Sequence, residues 1–264
     1  MLRISLVDFL NARPLTWGLL HEPPPEVEVS RDLPAVCADK LASGAADVGL
    51  IPSIEYQRIA GLRVVPGLGI AASSEVRSVL LVSSVSRERI RSVALDPASR
   101  TSAALVRILL KRVYGLEPMY LDASPSDSRL APSGKADASL IIGDPALKTR
   151  LNGQVVLDLA AEWRALSGHS FVFAFWAVRE EAATAEIGSM LRRSYESGRT
   201  HFESLVAEEA ARTGLSQAVV EDYLRHSLHY ELDESDLAGL DLFYRMAAES
   251  GSISVRRPLS FLPA

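Results

Sequence analysis

The sequence predicts a two-lobed α/β protein with a helical C-terminal segment, and three observations support this fold class. Residues 43–52 recur 90 positions later, at 133–142, with six of the ten residues identical. Each copy closes the same predicted order of strand, helix, strand, helix and strand. Apolar residues then follow at helical spacing over about 180–250. Two α/β units built alike are typical of proteins that bind a ligand in the cleft between two lobes.

The elements of the two halves follow one another in the same order. Short buried strands are predicted over 3–8 and 91–96, and each leads through a polar loop into a helix that ends at a Leu-Leu pair. Second strands follow at 27–30 and 118–121, and the third begins after the Gly-x-Ala-Asp turn of the repeat. The handedness of βαβ units makes each set parallel and directs ligands to the carboxyl ends of its strands.

Two more strands are predicted where the chain passes between the lobes. Residues 77–83 form an apolar strand that leaves the first lobe, and residues 171–178 carry aromatic side chains at alternate positions. Helices are predicted after the second of these strands, over 181–193, 194–213, 216–228 and 234–250. The chain therefore visits the second lobe once and returns through a double hinge crossing, and the predicted lobes are 1–78 with 175–264, and 79–174.

Composition narrows the function classes. The chain has 264 residues, of which 48% are apolar, enough for two lobes of ordinary size. Its net charge of −5 argues against nucleic acid as the main partner, whereas a small anion can still bind through a few local donors. The single cysteine, Cys37, excludes an internal disulfide. No membrane span is expected, and a strand predicted from Leu2 leaves no room for an export leader, so we expect a cytoplasmic location.

Two loops at the carboxyl ends of predicted strands carry candidate binding residues. Asn11 lies where the first such loop enters a helix, and free backbone N–H groups at a helix start attract anions. Its amide can hydrogen-bond a ligand, or it can simply cap the helix. The equivalent loop of the second half brings Ser99, Thr101 and Ser102 to another helix start, where they can contact an anion or cap the helix.

Other chemical motifs are weak or missing. His226 and His229 lie three residues apart on a predicted helix, but packing or surface roles are the simpler interpretation of that spacing. His169, beside the returning strand, could reach the cleft, although a structural role is favoured. The sequence contains no nucleophile-elbow, P-loop or dinucleotide-binding glycine motif. We therefore expect no covalent nucleophile, no metal and no cofactor.

Several motifs together resemble one known family. The opening Val-Asp-Phe-Leu-Asn-Ala-Arg-Pro-Leu15 is similar to the Asn-x-x-Pro-Leu signature of the chorismate dehydratases of the futalosine route to menaquinone. Further segments, ordered over residues 4–178, resemble the same family: Asp47-Val-Gly-Leu-Ile-Pro-Ser53, Ser78-Val-Leu-Leu-Val-Ser83, Asp96 with Ser99-Arg-Thr-Ser102, Ile142-Gly-Asp-Pro-Ala-Leu147 and Phe171-Val-Phe-Ala-Phe-Trp176.

The resemblance implies a type II periplasmic-binding-protein-like fold used as an enzyme. The implied activity is that of a carbon–oxygen hydro-lyase, which removes water from chorismate to give 3-[(1-carboxyvinyl)oxy]benzoate. Loss of the C4 hydroxyl and the C3 proton makes the ring aromatic, which is a large driving force. In the family the substrate's own enolpyruvyl carboxylate is thought to take this proton. The protein would then hold the reactive conformer and stabilise developing charge.

The resemblance also implies site residues. Asn11 and Ser78 are the implied catalytic residues, which contact the reacting region. The implied substrate-binding residues are Ser53, Ser99, Arg100, Thr101, Ser102, Gly143 and Asp144. Within this set the hydroxyl groups at the second helix start bind a carboxylate, and Arg100 is either a ligand contact or an ion pair between the lobes. The loops that hold Ser53 and Asp144 close over the cleft, and Gly143 lets the backbone approach the ligand.

Three alternatives stay open. The sister enzyme, which forms 1,4-dihydroxy-6-naphthoate from cyclic dehypoxanthine futalosine, shares the fold but has a different N-terminal motif. The second alternative is a non-catalytic small-anion binding protein. The expected absence of an export leader argues against this alternative. A cytoplasmic ligand sensor would need a partner-binding surface that the sequence does not reveal. The expected partners are a small anionic substrate and a possible second copy in a homodimer. We expect no nucleic acid and no membrane as partners.

Overall fold

A computed structural model describes residues 1–122 and 136–263 and contains two five-stranded sheets. Ser133 to Lys135, the beginning of the second repeat copy, lie outside the described residues. The first sheet contains the strands β1 Leu2–Val7, β2 Val27–Asp32, β3 Val48–Pro52, β4 Leu62–Ala72 and β10 Phe171–Arg179, in the order β2-β1-β3-β10-β4. The second sheet contains β5 Val79–Ser83, β6 Ser92–Leu95, β7 Met119–Asp122, β8 Ala138–Ile142 and β9 Val155–Asp158, in the order β7-β6-β8-β5-β9.

The two halves of the repeat form equivalent strand pairings. β1 lies between β2 and β3 and is parallel to both, and β6 lies in the same way between β7 and β8. The predicted parallel units are therefore confirmed. Because consecutive parallel strands end at one edge of a sheet, the loops after β1, β3, β6 and β8 are placed where ligands bind in such folds.

The repeated Asp has the same structural role in both halves. The Asp47 carboxylate accepts a hydrogen bond from the Arg3 backbone N–H at 2.9 Å. Asp137 likewise accepts from the backbone N–H groups of Arg91 and Ser92, at 2.8 and 3.0 Å. Each carboxylate thus ties the turn before the third strand of its half to the beginning of the first strand.

β5 and β10 carry the chain from one sheet to the other. β5 is antiparallel to β8 and β9, and β10 is antiparallel to β3 and β4. The chain leaves the first sheet after β4 and returns with β10, which confirms the predicted double crossing. The lobe boundaries, 1–78 with 175–264 and 79–174, stay a prediction, and β10 pairs within the first sheet on both sides of residue 174.

Helices cover the two sheets. The first half contributes the helices Arg13–His21, Pro34–Ser43 and Glu55–Arg58, and the second contributes Arg100–Tyr114, Asp144–Lys148 and Leu159–Ser167. As the repeat predicts, the Pro34–Ser43 helix ends at Gly44, which adopts a left-handed conformation with φ of 74°. In residues 1–122 and 136–263 no helix has both the length and the apolar character that a membrane crossing requires.

The C-terminal segment is helical, as predicted, but one predicted boundary is wrong. Its helices are Ala185–Thr200, Phe202–Thr213, Gln217–Asp222 with a π-helical turn at Tyr223–Ser227, and Glu234–Glu249. Ser194, the predicted start of a helix, lies inside the first of these. Its hydroxyl donates to the Leu15 carbonyl at 2.9 Å, and a Cβ on Gly18 would lie 2.8 Å from its Cα. Ser194 therefore belongs to a close contact between two helices.

Three aromatic side chains anchor the returning crossing. Trp163 belongs to the second-lobe helix Leu159–Ser167, Phe171 begins β10, and Phe243 belongs to the last helix. All three are fully buried, and their ring centroids lie 5.0 to 6.2 Å apart in edge-to-face geometry. Such pairs contribute about 0.5–1.5 kcal/mol each beyond the area they bury. The crossing is thus a packed element and not a loose linker.

Candidate active site

A cavity lies between the two sheets, where the loops that follow their strands meet. Its lining includes Gly143 and polar residues from both halves of the chain: Asn11, Ser78, Ser99, Arg100, Thr101 and Ser102. The space in which the centre of a water-sized sphere can move is about 60 Å³, which is enough for a few water molecules. The cavity is therefore narrow in this structure.

Asn11 lines this cavity. It lies in the short 3₁₀ turn Leu10–Ala12, and neither this turn nor the following Arg13–His21 helix has a side-chain cap. Its Oδ1 is buried and has no hydrogen-bond partner among residues 1–122 and 136–263. A buried polar atom without a partner costs about 1–3 kcal/mol. The geometry therefore favours a ligand contact over the capping role, and the contact itself stays a prediction.

Ser78 lines the cavity at the beginning of the outgoing crossing and is 1% exposed. Its Oγ accepts a hydrogen bond from the Tyr223 hydroxyl at 2.7 Å, and its backbone carbonyl accepts from the Gly143 N–H at 2.7 Å. Burial raises the pKa of the Tyr223 phenol well above its ordinary value, so this group stays protonated. The sequence does not indicate a role for Tyr223 in the site, because this residue only continues the helical spacing of apolar residues in its segment.

The residue before Ser78 has a strained backbone. Arg77 is a non-glycine residue with φ of 59°, in the left-handed region, which costs about 1–3 kcal/mol. The Asp158 carboxylate accepts from the backbone N–H groups of Val76 and Arg77, at 3.1 and 2.7 Å. The Arg77 guanidinium also pairs with Asp222 at 2.8 Å. These contacts hold the strained conformation, and with it the position of Ser78.

The three predicted hydroxyl groups lie together at the start of the Arg100–Tyr114 helix and line the cavity. Ser99 is at the N-cap position, but its hydroxyl does not cap the helix and is buried without a partner in the described part of the chain. The Thr101 hydroxyl accepts from the Ile54 N–H at 3.2 Å, which links the two lobes. Because the first N–H groups of a helix lack intrahelical partners and its dipole favours negative charge, this corner of the cleft can bind a carboxylate.

Arg100 forms an ion pair between the lobes. Its guanidinium donates to Asp39 at 2.8 Å and to Glu55 at 2.9 Å, and both carboxylates belong to first-lobe helices. Glu55 is buried and also pairs with Arg58 at 2.7 Å. The ion pair is one of the two roles predicted for Arg100. Arg100 also lines the cavity. A contact between Arg100 and a ligand stays a prediction.

Ser53 and Gly143 follow β3 and β8, but they differ in position. The Ser53 hydroxyl is buried and donates to the Val172 carbonyl at 2.8 Å, so it faces the returning strand and is not part of the cavity lining. Gly143 lines the cavity with φ of 65°, and a Cβ there would lie 3.0 Å from the Phe9 ring. A side chain at position 143 would therefore strain the backbone and push Phe9 away.

Asp144 joins the lobes through a chain of charges. Its carboxylate accepts from the Leu10 N–H at 2.8 Å and from Arg212 at 2.8 Å. Arg212 also pairs with Glu209 at 2.6 Å, and Glu209 accepts from the buried Arg13 at 2.9 Å. These charges hold the turn that carries Asn11 against the second lobe. Arg212 is distant in sequence from Asp144, and Glu209 is distant from Arg13, so the sequence does not indicate these two contacts.

The histidines considered in the sequence lie away from the cavity lining. His169 packs against the last helix. A Cβ atom added to Gly239 of that helix would lie 2.9 Å from the Cβ of His169. His229 pairs with Asp236 at 2.9 Å. Burial alone would raise the pKa of Asp236, but hydrogen bonds from His229 and Ser170 lower it below its ordinary value. These contacts agree with structural roles.

Comparison with known proteins identifies relatives over most of the chain. A family model described as menaquinone biosynthesis matches residues 2–249. A chorismate dehydratase from Thermus thermophilus is 29% identical over 259 residues, which cover 91% of this chain and 93% of the relative. A chorismate dehydratase from Campylobacter jejuni is 31% identical over 188 residues, which cover 69% of this chain and 70% of the relative.

Solved structures show the same architecture. A protein from Archaeoglobus fulgidus superimposes with a TM-score of 0.75 at 16% identity, covering 95% of this chain and 98% of that protein. The periplasmic aliphatic sulphonate binding protein of Escherichia coli has a TM-score of 0.66 at 20% identity, covering 100% and 94%. At these identities the likeness concerns the fold alone, and it confirms the predicted periplasmic-binding-protein-like architecture.

Proposed function

We propose one reaction for this chain from the premise that it belongs to the menaquinone biosynthesis family, whose model covers residues 2–249. This membership confirms the resemblance seen in the sequence. In the proposed reaction a hydro-lyase removes water from chorismate to give 3-[(1-carboxyvinyl)oxy]benzoate, a step of the futalosine route. The observation that carries the proposal is a single cavity lined by the residues implied for this chemistry: Asn11, Ser78, Ser99, Thr101, Ser102 and Gly143.

In the proposed reaction the main task of the protein is to hold the substrate in its reactive conformation. The ring of chorismate becomes aromatic when the C3 proton and the C4 hydroxyl leave, so the overall step is strongly favourable. The substrate's enolpyruvyl carboxylate takes the C3 proton, and this proton and the departing hydroxide together make one water molecule. Asn11 and Ser78 hold the reacting region in the conformer that allows this transfer, and they donate hydrogen bonds to oxygens that gain negative charge.

The substrate carboxylate binds at the start of the Arg100–Tyr114 helix. Ser99 has a buried hydroxyl there that has no partner among residues 1–122 and 136–263, and Ser102 lines the same wall. Arg100 is already paired with Asp39 and Glu55, so hydroxyl and backbone N–H donors supply the attraction for the anion. Such donors bind carboxylates well at helix N-termini. This arrangement explains how an acidic protein can bind a dianionic substrate.

Chorismate enters when the lobes separate. In this structure the space open to the centre of a water-sized sphere is about 60 Å³, which holds only a few water molecules. Opening requires the contacts of Asp144 with Leu10 and Arg212 to lengthen or break, because they join the two lobes. Asp144 thus acts in closure, while Ser53 supports the loop after β3 through its bond to Val172. Water is excluded from the reaction once the cleft has closed again.

An assay of purified protein with chorismate tests the proposed function and its alternatives. We expect the ultraviolet absorbance of the aromatic product to rise with no metal or nucleotide added, relative to a blank without protein. Formation of the dihydroxynaphthoate from cyclic dehypoxanthine futalosine, without reaction of chorismate, would instead identify the sister enzyme. A chorismate-dependent rise in melting temperature without turnover would identify a binding protein or a sensor.

The cytoplasmic location and the homodimer are also parts of this proposal. Cell fractionation with an antibody to the native protein tests the location. Size-exclusion chromatography with light scattering tests the homodimer, and a mass corresponding to one chain would refute it.

A further inference from the structure

A buried tyrosine lies directly behind Ser78. Tyr223 is 1% exposed, and its hydroxyl lies 2.7 Å from Ser78 Oγ. Ser78 belongs to the cavity lining, whereas Tyr223 does not. In this structure the tyrosine therefore reaches the cavity through the serine.

The hydrogen bond between the two hydroxyl groups has a defined direction. If Ser78 donated to Tyr223, the phenol hydrogen would need a second acceptor, and within the described residues the phenol hydrogen-bonds to Ser78 alone. A buried donor without an acceptor is costly, so Tyr223 donates and Ser78 accepts. The hydrogen of Ser78 is then turned away from Tyr223. The space that Ser78 lines is the cavity, so this hydrogen is available to a ligand there.

The segment that carries Tyr223 is tied to the residue before Ser78. Tyr223 begins the π-helical turn Tyr223–Ser227, and such turns are rare and frequently occur at functional sites. Ser227 accepts a hydrogen bond from Arg77 Nε at 3.0 Å, and Asp222 pairs with Arg77 Nη1 at 2.8 Å. Contacts on both sides of Tyr223 therefore fix the distance between the two hydroxyl groups.

We propose that Tyr223 is a positioning residue that fixes the Ser78 hydroxyl as a hydrogen-bond donor to the substrate. The proposal rests on the proposed function, because it concerns a substrate oxygen that gains negative charge during the dehydration. A serine that accepts a hydrogen bond from a phenol is polarised and becomes a better donor itself. Without the phenol, the Ser78 hydroxyl is free to rotate, and its hydrogen points at the substrate for only part of the time.

A double-mutant cycle tests the proposal. We would measure kcat, KM and melting temperature for Tyr223→Phe, for Ser78→Ala and for the double variant. Tyr223→Phe is expected to lower kcat about 10-fold and to leave KM within about twofold, because a donor that acts mainly in the transition state is weakened. In the Ser78→Ala background the same change is expected to cause no further loss, because the tyrosine acts through the serine. Tyr230→Phe is the matched control, since Tyr230 is also buried and its hydroxyl has no partner in the described structure.

Several outcomes would overturn the proposal. An unchanged kcat in Tyr223→Phe, or an equal loss in both backgrounds, would show that the tyrosine does not act through Ser78. A wild-type protein that leaves chorismate unchanged would refute the proposed function itself, whereas an active wild type with an unaffected Tyr223→Phe variant would refute only this inference. If Tyr223→Phe fails to fold, 3-fluorotyrosine and 3,5-difluorotyrosine at position 223 keep the hydroxyl and strengthen it as a donor. We then expect kcat to rise along this series, and a flat or falling series would overturn the proposal.

Discussion

Replacing Asn11 by Asp tests whether the Asn11 side chain contacts the substrate or has a structural role. The Asn11 amide does not cap the following helix, and its Oδ1 is buried without a partner in the described part of the chain. Asp has nearly the same size and carries a charge that is favourable near a helix N-terminus. The folded protein should therefore tolerate Asn11→Asp, with little change in melting temperature.

Catalysis should respond much more strongly to this change. Asp lacks the two N–H donors of the amide, and it places a negative charge beside a dianionic substrate. Loss of a hydrogen bond to a charged group costs about 1.5–3 kcal/mol, which corresponds to a fall in kcat/KM of about 10- to 150-fold. Repulsion between the two negative charges adds to this loss. The predicted variant folds normally and turns over slowly.

Asn152→Asp is the matched control for this experiment. Asn152 is the other asparagine of the chain, is exposed and lies outside the cavity lining, so the same chemical change there should alter neither quantity. We would measure kcat/KM with chorismate and the melting temperature on the same preparations of all three proteins. If Asn11→Asp kept kcat/KM within about twofold of the wild type, the amide would not contact the substrate.

Three further changes test other parts of the account. Ser102→Ala removes a hydroxyl from the cavity wall and should raise KM for chorismate about 2- to 10-fold; an unchanged KM would mean that the carboxylate binds elsewhere. Asp144→Asn removes the charge that pairs with Arg212 between the lobes, so kcat/KM and melting temperature should both fall. Wild-type values of both quantities would show that Asp144 has no role in closing the cleft. Hydrogen bonds, notably from His229, outweigh burial and lower the pKa of Asp236. The stability that this carboxylate contributes is present above its unfolded pKa and is lost as the pH falls through its folded pKa. Denaturant titrations in acid should therefore show a smaller loss of stability for Asp236→Asn than for the wild type, and equal losses would contradict this reasoning.

The fold could be predicted from the sequence because its signals are local. The repeat marks two equivalent turns, and the structure places Asp47 and Asp137 in the same position relative to the first strand of each half. The alternating aromatic residues of β10 and the Gly44 helix stop are equally local. Ser194 shows the limit of such signals. A serine is frequent at helix starts, but here its hydroxyl serves a contact with another helix, which no local pattern reveals.

The candidate site could be predicted in part for the same reason. Loops after parallel strands converge at one edge of each sheet, and this rule brings Asn11 and Ser102 to one cavity. Ser53 follows a strand as well, but its side chain faces the opposite way, toward Val172. Side-chain direction alternates along a strand, so an error of one position at its end reverses the face.

The groups that support the site could not be predicted. Tyr223, Glu209 and Arg212 belong to the helical tail and reach the cleft residues across a long stretch of sequence. Their types and spacing are those of ordinary amphipathic helices, so only the folded chain distinguishes them from other core and surface residues. The strained conformation of Arg77 is likewise a property of the assembled hinge, since nothing in the sequence around it requires a left-handed residue.

Identification of the product formed from chorismate would show whether the protein catalyses the proposed dehydration. The purified protein would be incubated with chorismate alone, and the mixture would be examined by mass spectrometry and proton NMR. We predict a product that has lost one water molecule, keeps the enolpyruvyl group and shows the signals of a disubstituted aromatic ring. Recovery of unchanged chorismate, or of a product that has lost the enolpyruvyl group, would contradict this prediction.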